Sequence, residues 1–369
     1  MDGSATERRD ARLDLRSGGW ALLLGLVLAA GAVALLLARA RAGSAADAIA
    51  LEPCLVPRDL LVKATSPEAL PPLVDPALLG PDEAQATRLP QHGKYLVPDD
   101  RVVGVALGGE ACAYPVRVLQ WHEVVTHTLG GAPIAVTYAA LTDSARAFDR
   151  RVDGEALDLA ASGFVWSSNP LLFDRRPPAP DGARPSSLWS QLQGRAVAGP
   201  AAARGLSLTP VPCVLTTWSS WRAAHPTTRV IGPDPSRADR YRKDPYNAYA
   251  GSEVLRFPVA PLPPADAGLP HKAPTVVVGP PGRRVVYPLA WLVRAAGDAG
   301  VWRTSQDGVE VVFRPAADPL HAEVVLPPGR DDWEVVHAAW FAWYAQHPED
   351  ARLVDLPAAQ PTPAAQPTR

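Results

Sequence analysis

The chain has 369 residues, 47% of them apolar and 20% charged, with a formal net charge of -2. That is enough apolar chain for two ordinary domains, and the near-neutral balance excludes the basic footprint on which nucleic-acid binders depend. Proline is the skewed count, 41 of 369, and it argues against long helical bundles because proline lacks an amide donor and clashes inside a helix.

In chain order, the first feature is Gly18 to Ala38, 21 residues without a charge. At about 1.5 Å rise per residue this run spans a hydrocarbon core of about 30 Å, which predicts one transmembrane helix. Arg8, Arg9, Arg12 and Arg16 precede it and only Arg39 and Arg41 follow closely, so the positive-inside tendency puts the N-terminus in the cytoplasm and the body outside the cell membrane. The competing reading is a cleaved signal peptide with Ala46-Asp47-Ala48 as its small-residue site. The apolar run exceeds the usual signal core of roughly 7–15 residues, which favours an uncleaved single-pass anchor. Cys54, Cys112 and Cys213 all fall in the extracytoplasmic part. That compartment permits disulfides, yet three cysteines leave one over, their spacing fits no zinc pattern, and pairing stays open.

The body reads as a duplication. Arg101 to Leu107, a Gly108-Gly109 turn and Glu110 to Tyr114 predict a hairpin ending in Pro115, and Thr275 to Gly279 followed by Gly282 and Tyr287-Pro288 repeats the pattern. A further strand follows in each copy, at Ile134 to Tyr138 and at Val309 to Phe313. The sharpest match is Trp218-x-x-Trp221-x-x-x-His225-Pro226 against Trp340-x-x-Trp343-x-x-x-His347-Pro348. These offsets put both tryptophans and the histidine on one helix face, with the proline as helix stop, and a tryptophan stripe of this kind is ordinarily core. Cys112 aligns with Val285, a packing position. From tyrosine to second tryptophan the copies run 221 − 114 = 107 and 343 − 287 = 56 residues, so the first carries about 51 extra.

Those extra residues hold the candidate chemistry: Trp121-His122-Glu123, Asp143-Ser144, Asn169 to Asp174-Arg175, and Leu188-Trp189-Ser190-Gln191. A histidine oriented by a carboxylate is the minimal general-base unit, and Ser144 is the nucleophile it could serve if the fold brought them within hydrogen-bond reach. Asp174-Arg175 could equally be a salt bridge at a strand end, and the tryptophans a core. No phosphate loop, His-Glu-x-x-His helix or Gly-x-Ser-x-Gly elbow occurs.

With Tyr114-Pro115, Asp244-Pro245-Tyr246 and the terminal Trp-x-x-Trp motif, the order of these segments resembles the bacterial domain-of-unknown-function family 3179 over roughly Leu89 to Val354. The resemblance implies a membrane-anchored or secreted protein and supplies no reaction. Where such proteins usually show Cys-Pro-Leu, this chain has Ala139-Ala140-Leu141, so thiolate chemistry or a soft metal site lacks its sulfur.

The expected fold is a β-rich α+β body of two unequal repeats of hairpin, strand and short helix. The expected division is residues 1–17 cytoplasmic, 18–38 transmembrane, 39–88 tether and irregular lead-in, and 89–232 first copy with its insertion. Residues 233–273 then form the inter-copy loop, 274–355 the second copy, and 356–369 a disordered tail of Pro, Ala, Gln and Thr. The leading functional reading is an extracytoplasmic binding domain, catalytically degenerate, with a polar and aromatic pocket around His122. Its lining would come from Glu123, Asn169, Asp174, Arg175, Trp189 and Gln191, and its ligand would be a small molecule or a metal. The alternatives are an enzyme or redox/metal protein using His122 and Glu123, and a purely structural envelope protein. No cofactor is assigned.

Overall fold

A computed structural model describes residues 49–67, 69–89, 93–176, 185–330 and 332–355. The expected transmembrane helix and the C-terminal tail lie outside the described residues, and among those residues no helix is long and apolar enough to cross a membrane. The body is β-rich, as expected, with several sheets and short helices.

The first hairpin pairs Arg101–Leu107 with Glu110–Pro115. Gly108 and Gly109 both take positive φ, 58° and 81°, which is the backbone that a two-residue turn matching strand twist demands. Pro115 ends the strand and caps the helix Val116–His122. Cys213–Thr217 pairs antiparallel on the other side of Arg101–Leu107, and Arg229–Ile231 runs parallel to Glu110–Pro115. Between those two strands sits the helix Trp218–Ala224, whose N-cap Thr217 accepts a bond from the Ser220 amide.

The same order and sense recur near the C-terminus. Pro274–Gly279 pairs antiparallel with Val285–Pro288 and with Glu334–Ala339, and Arg352–Leu353 runs parallel to Val285–Pro288. The helices Leu289–Ala296 and Trp340–Gln346 occupy the corresponding places. Detailed contacts recur too. The Trp218 amide donates to Asp100 O as the Trp340 amide donates to Ala273 O. The indole of Trp221 donates to Thr228 Oγ1, and that of Trp343 to Asp350 O. Cys112 pairs with Val105, and Val285 pairs with Val278.

Part of the segment between the helices Val116–His122 and Trp218–Ala224 joins Leu61–Lys63 in a separate sheet, in the order Leu61–Lys63, Leu159–Trp166, Asn169–Asp174, Leu188–Ser190 and Ala196–Ala198. The expected irregular lead-in is built into the body from Ile49 onward. Leu61–Lys63 joins that sheet, Leu73–Val74 pairs parallel with Val125 and Thr126, and Leu78–Leu79 pairs with Val230 and Ile231. Two- and three-residue strands show no alternation in sequence, which is why a tether was expected there.

The second hairpin belongs to a sheet of nine strands, which adjoins the five-stranded sheet of the first. In it Val124–Leu129, Ala132–Ala139 and Ser144–Asp149 run on into Glu334–Ala339, Pro274–Gly279 and Val285–Pro288. The three cysteines are free. Burial pushes the thiols of Cys112 and Cys213 up to about 12 and about 11, which makes both inert packing groups.

Gly104 marks a close approach of helix to strand, because a Cβ there would lie 2.5 Å from Trp221 Cζ3. A Gly104→Val variant is expected to lose about 3 kcal/mol of stability through overpacking against the indole, measured by urea unfolding. A loss below about 0.5 kcal/mol would contradict the close packing of Trp221 on this strand.

Candidate functional site

His122 ends the helix Val116–His122, and both of its ring nitrogens are occupied. Nδ1 pairs with Pro71 O at 2.8 Å and Nε2 with the Tyr241 hydroxyl at 2.7 Å. The ring is 1% exposed, and burial lowers its pKa. It is a neutral tie between the lead-in, the helix and the loop that carries Tyr241. The pocket expected around His122 is therefore not organised by the imidazole, whose hydrogen-bonding capacity is spent on structure.

The neighbouring residue differs. Glu123 sits at the helix C-cap with φ 57° and ψ −30°, a left-handed backbone that a glycine would adopt without cost. Its amide donates to Leu119 O, and its carbonyl accepts from the Tyr138 amide. Its carboxylate has no hydrogen-bond or ion-pair partner among the described residues, and burial raises its pKa to about 7. A strained backbone that aims an unpaired carboxyl is the kind of outlier from which a site is inferred.

That carboxyl lines a cavity of about 180 Å³. Leu141 and Pro170 contribute apolar wall, as do Ala161, Phe164 and Val165 from a strand that bulges between Ala161 and Val165. The loop that follows Ile231 covers it with Tyr246, Arg256 and Phe257. Burial raises the Tyr246 phenol to about 12, with the Glu123 charge adding to the effect. Arg256 stacks its guanidinium 5.4 Å from the Tyr249 ring centroid. The loop is pinned by the turn Ser167-Ser168. Both serines take positive φ, 48° and 63°, and their hydroxyls donate to Ala260 O and Phe257 O.

Asn169, Gln191 and Ser144 meet, but as a buried network. Asn169 Nδ2 donates to Gln191 Oε1 at 2.9 Å and to Thr142 Oγ1 at 3.0 Å, and Ser144 Oγ donates to Gln191 Oε1 at 2.9 Å. Gln191 Nε2 reaches Thr137 Oγ1 at 3.0 Å. No hydrogen bond joins Ser144 to His122, so the base and nucleophile considered from sequence are not a pair in this structure. Asn169 Oδ1 has no partner among the described residues.

Asp174 and Trp189 form another cluster. Asp174 accepts from the Ser187 amide at 2.6 Å, from Trp189 Nε1 at 3.2 Å and from Arg176 Nε at 3.0 Å. The Asp174-Arg175 bridge considered as the structural alternative does not form, since Arg175 pairs with Asp158 and Arg176 with Asp174. Successive residues on an extended chain point to opposite faces, so the residue two along reaches the same carboxylate. The seven candidates are thus dispersed: His122 ties three segments, Asn169 and Gln191 share a network, Asp174 and Trp189 share another, Arg175 pairs with Asp158, and of the seven only Glu123 borders the cavity described above. Among the described residues no group of three His, Cys, Asp or Glu side chains is placed to hold a metal. Sequence reasoning missed Tyr246 as a lining group, although it noted Asp244-Pro245-Tyr246 and expected the inter-copy loop to pack.

With this geometry in place, comparison with known proteins assigns a class. A family model described as a protein of unknown function, DUF3179, matches residues 68–331, and the chain belongs to that family. No curated protein and no solved structure matches it.

Two variants separate the neighbours His122 and Glu123. Between pH 4.5 and about 7 the folded chain keeps a proton on Glu123 that an unfolded chain releases, so this group's contribution to stability falls as pH rises through that window. Glu123→Gln is expected to melt higher than the parent at pH 8, with the difference vanishing below about pH 4.5. His122→Ala should cost about 2–3 kcal/mol at neutral pH, because it strands the Pro71 carbonyl and the Tyr241 hydroxyl. A Glu123→Gln protein that melts lower than the parent at pH 8 would contradict the unpaired, desolvated carboxyl.

Proposed function

We propose that the chain is a binding protein for a small, mainly apolar molecule bearing a basic or hydrogen-bond-donating group, which it takes into the cavity at Glu123. The observation that carries this is the Glu123 carboxyl itself, unpaired among the described residues and held at the cavity wall by a left-handed backbone. Inside apolar walls a carboxylate gains most from a partner that replaces the water it has lost. The cavity is smaller than the roughly 300–1,000 Å³ usual for drug-sized ligands, which limits the guest to about one ring with a short substituent.

One observation favours a second reading. A carboxyl titrating at about 7 is poised to take a proton at neutral pH, so the same geometry serves an enzyme in which Glu123 is the base and the Tyr246 phenol a donor. On either reading His122, Asn169, Asp174, Arg175, Trp189 and Gln191 support the frame.

We further infer that the body arose by duplication and stands outside the cell membrane on the Gly18 to Ala38 anchor. The recurring strand order and the paired tryptophan contacts support the first inference. The uncharged run and its arginine asymmetry support the second.

Benzylamine tests the site. Titration of the parent at pH 8 should show saturable binding that weakens at pH 5.5, where Glu123 is protonated, and Glu123→Gln should bind at least about tenfold more weakly, as loss of a charge-assisted hydrogen bond requires. Equal binding by the parent and the variant would remove Glu123 from the site. For the anchor, the purified protein is expected to begin at its N-terminus and to sediment with membranes, and a chain beginning near Ile49 would instead indicate a cleaved signal.

A further inference from the structure

The Glu123 cavity carries charge of both signs. Arg256 belongs to the same lining as Glu123, and among the described residues its guanidinium has no hydrogen bond or ion pair, with Glu123 or with any other group. What orients it is an aromatic face, the Tyr249 ring, whose centroid lies 5.4 Å away. Stacking of this kind fixes the plane of a guanidinium and leaves the donors on its edge free for a carboxylate.

The support beneath Arg256 is itself well tied. The Tyr249 hydroxyl donates to Leu141 O at 3.1 Å. Lys272 Nζ lies 3.3 Å from the Tyr249 ring centroid and donates to Tyr249 O at 2.7 Å and to Ser252 O at 2.6 Å. On the other side of Arg256, the Phe257 carbonyl accepts from Ser168 Oγ at 3.1 Å. The free guanidinium is thus held by the fold on a fixed segment of the loop.

The two charges differ in depth. Arg256 is exposed and Glu123 only partly so, which puts the guanidinium at the mouth and the carboxyl further in. The Tyr246 phenol responds to both. Burial raises it to about 12, the Glu123 charge adds to the rise and the Arg256 charge opposes it. A guest with an ammonium alone would answer Glu123 but share the cavity with a like charge, and a guest with a carboxylate alone would meet the reverse conflict. A molecule bearing both groups matches both. The rest of its surface would lie against Leu70, Leu141, Phe164, Val165 and Phe257, and a cavity of about 180 Å³ limits it to a small side chain.

From these observations we infer that the cavity takes an amino acid with an apolar side chain, its ammonium on Glu123 and its carboxylate on Arg256. This inference rests on the binding role of Glu123 and adds Arg256 as the group that selects for an acid.

Leucine and 3-methylbutylamine, which is leucine without its carboxylate, separate the two roles. Each is titrated at pH 8 into the full-length protein in detergent and followed by calorimetry. The parent is expected to bind leucine at least about tenfold more tightly than the amine, as a bidentate charge-assisted pair requires. Arg256→Gln should erase that preference by weakening leucine with little change for the amine, and Arg256→Lys, which keeps the charge but not the fork, should restore part of it. A side chain that only supported the loop would shift both ligands together. Leucine binding no tighter than the amine, or equal weakening of the two in Arg256→Gln, would overturn the inference, while amine binding that Glu123→Gln abolishes would leave the role of Glu123 standing. Absence of binding by either ligand would overturn both.

Discussion

The nine-stranded sheet depends on one narrow junction. Ser144–Asp149 meets Glu334–Ala339 through a single register pair, Ala145 with His337, reinforced by the Ala339 amide bonding to Thr142 O at 2.7 Å and by the Arg146–Glu334 ion pair. His337 is 3% exposed, and burial lowers its pKa to about 4, so the junction is built around a neutral ring. Burial alone would raise Glu334, but the guanidinium groups of Arg146 and Arg284 hold it below the usual carboxylate range. The Glu123 cavity lies beside this seam and takes Leu141 from the turn just before Ser144.

Polar groups divide into those the fold consumes and those it leaves available. The amides and hydroxyls around Asn169 and Gln191 bond to one another with essentially no solvent contact, which stiffens the join between the insertion sheet and the nine-stranded sheet and leaves Asn169 Oδ1 as its one unpaired atom among the described residues. Asp174 is spent on the loop before Leu188–Ser190. Glu123 belongs to the other class. It has no compensating partner among the described residues, and its backbone carries strain that the helix and the facing strand hold in place.

Much of the frame was legible in the sequence because it rests on short-range rules. The hairpins at Gly108-Gly109 and before Tyr287-Pro288 and the Trp helices ending at His225 and His347 follow from turn and period signals. The lead-in was not legible, since Leu73–Val74 and Leu78–Leu79 are strands only by virtue of the partners they meet. The site was half legible. Trp121-His122-Glu123 drew notice, but sequence treated His122 as the acting group, because nothing local reveals that Pro71 and Tyr241, 51 and 119 residues away, take both of its nitrogens. The proline excess now has physical positions at strand ends and helix stops.

One of those prolines has a wider consequence. Thr209–Val211 pairs with Ser144–Asp149 in the nine-stranded sheet, and Cys213–Thr217 pairs with Arg101–Leu107 in the neighbouring five-stranded sheet, with Pro212 alone between them. The chain changes sheets within one residue, a corner of the kind that joins crossed sheets. Neither sheet can part from the other without breaking pairing on one side of that corner. Resemblance between two segments of a chain does not make them separable modules, and here the two strands flanking Pro212 tie the sheet of the first hairpin to the sheet that carries the second.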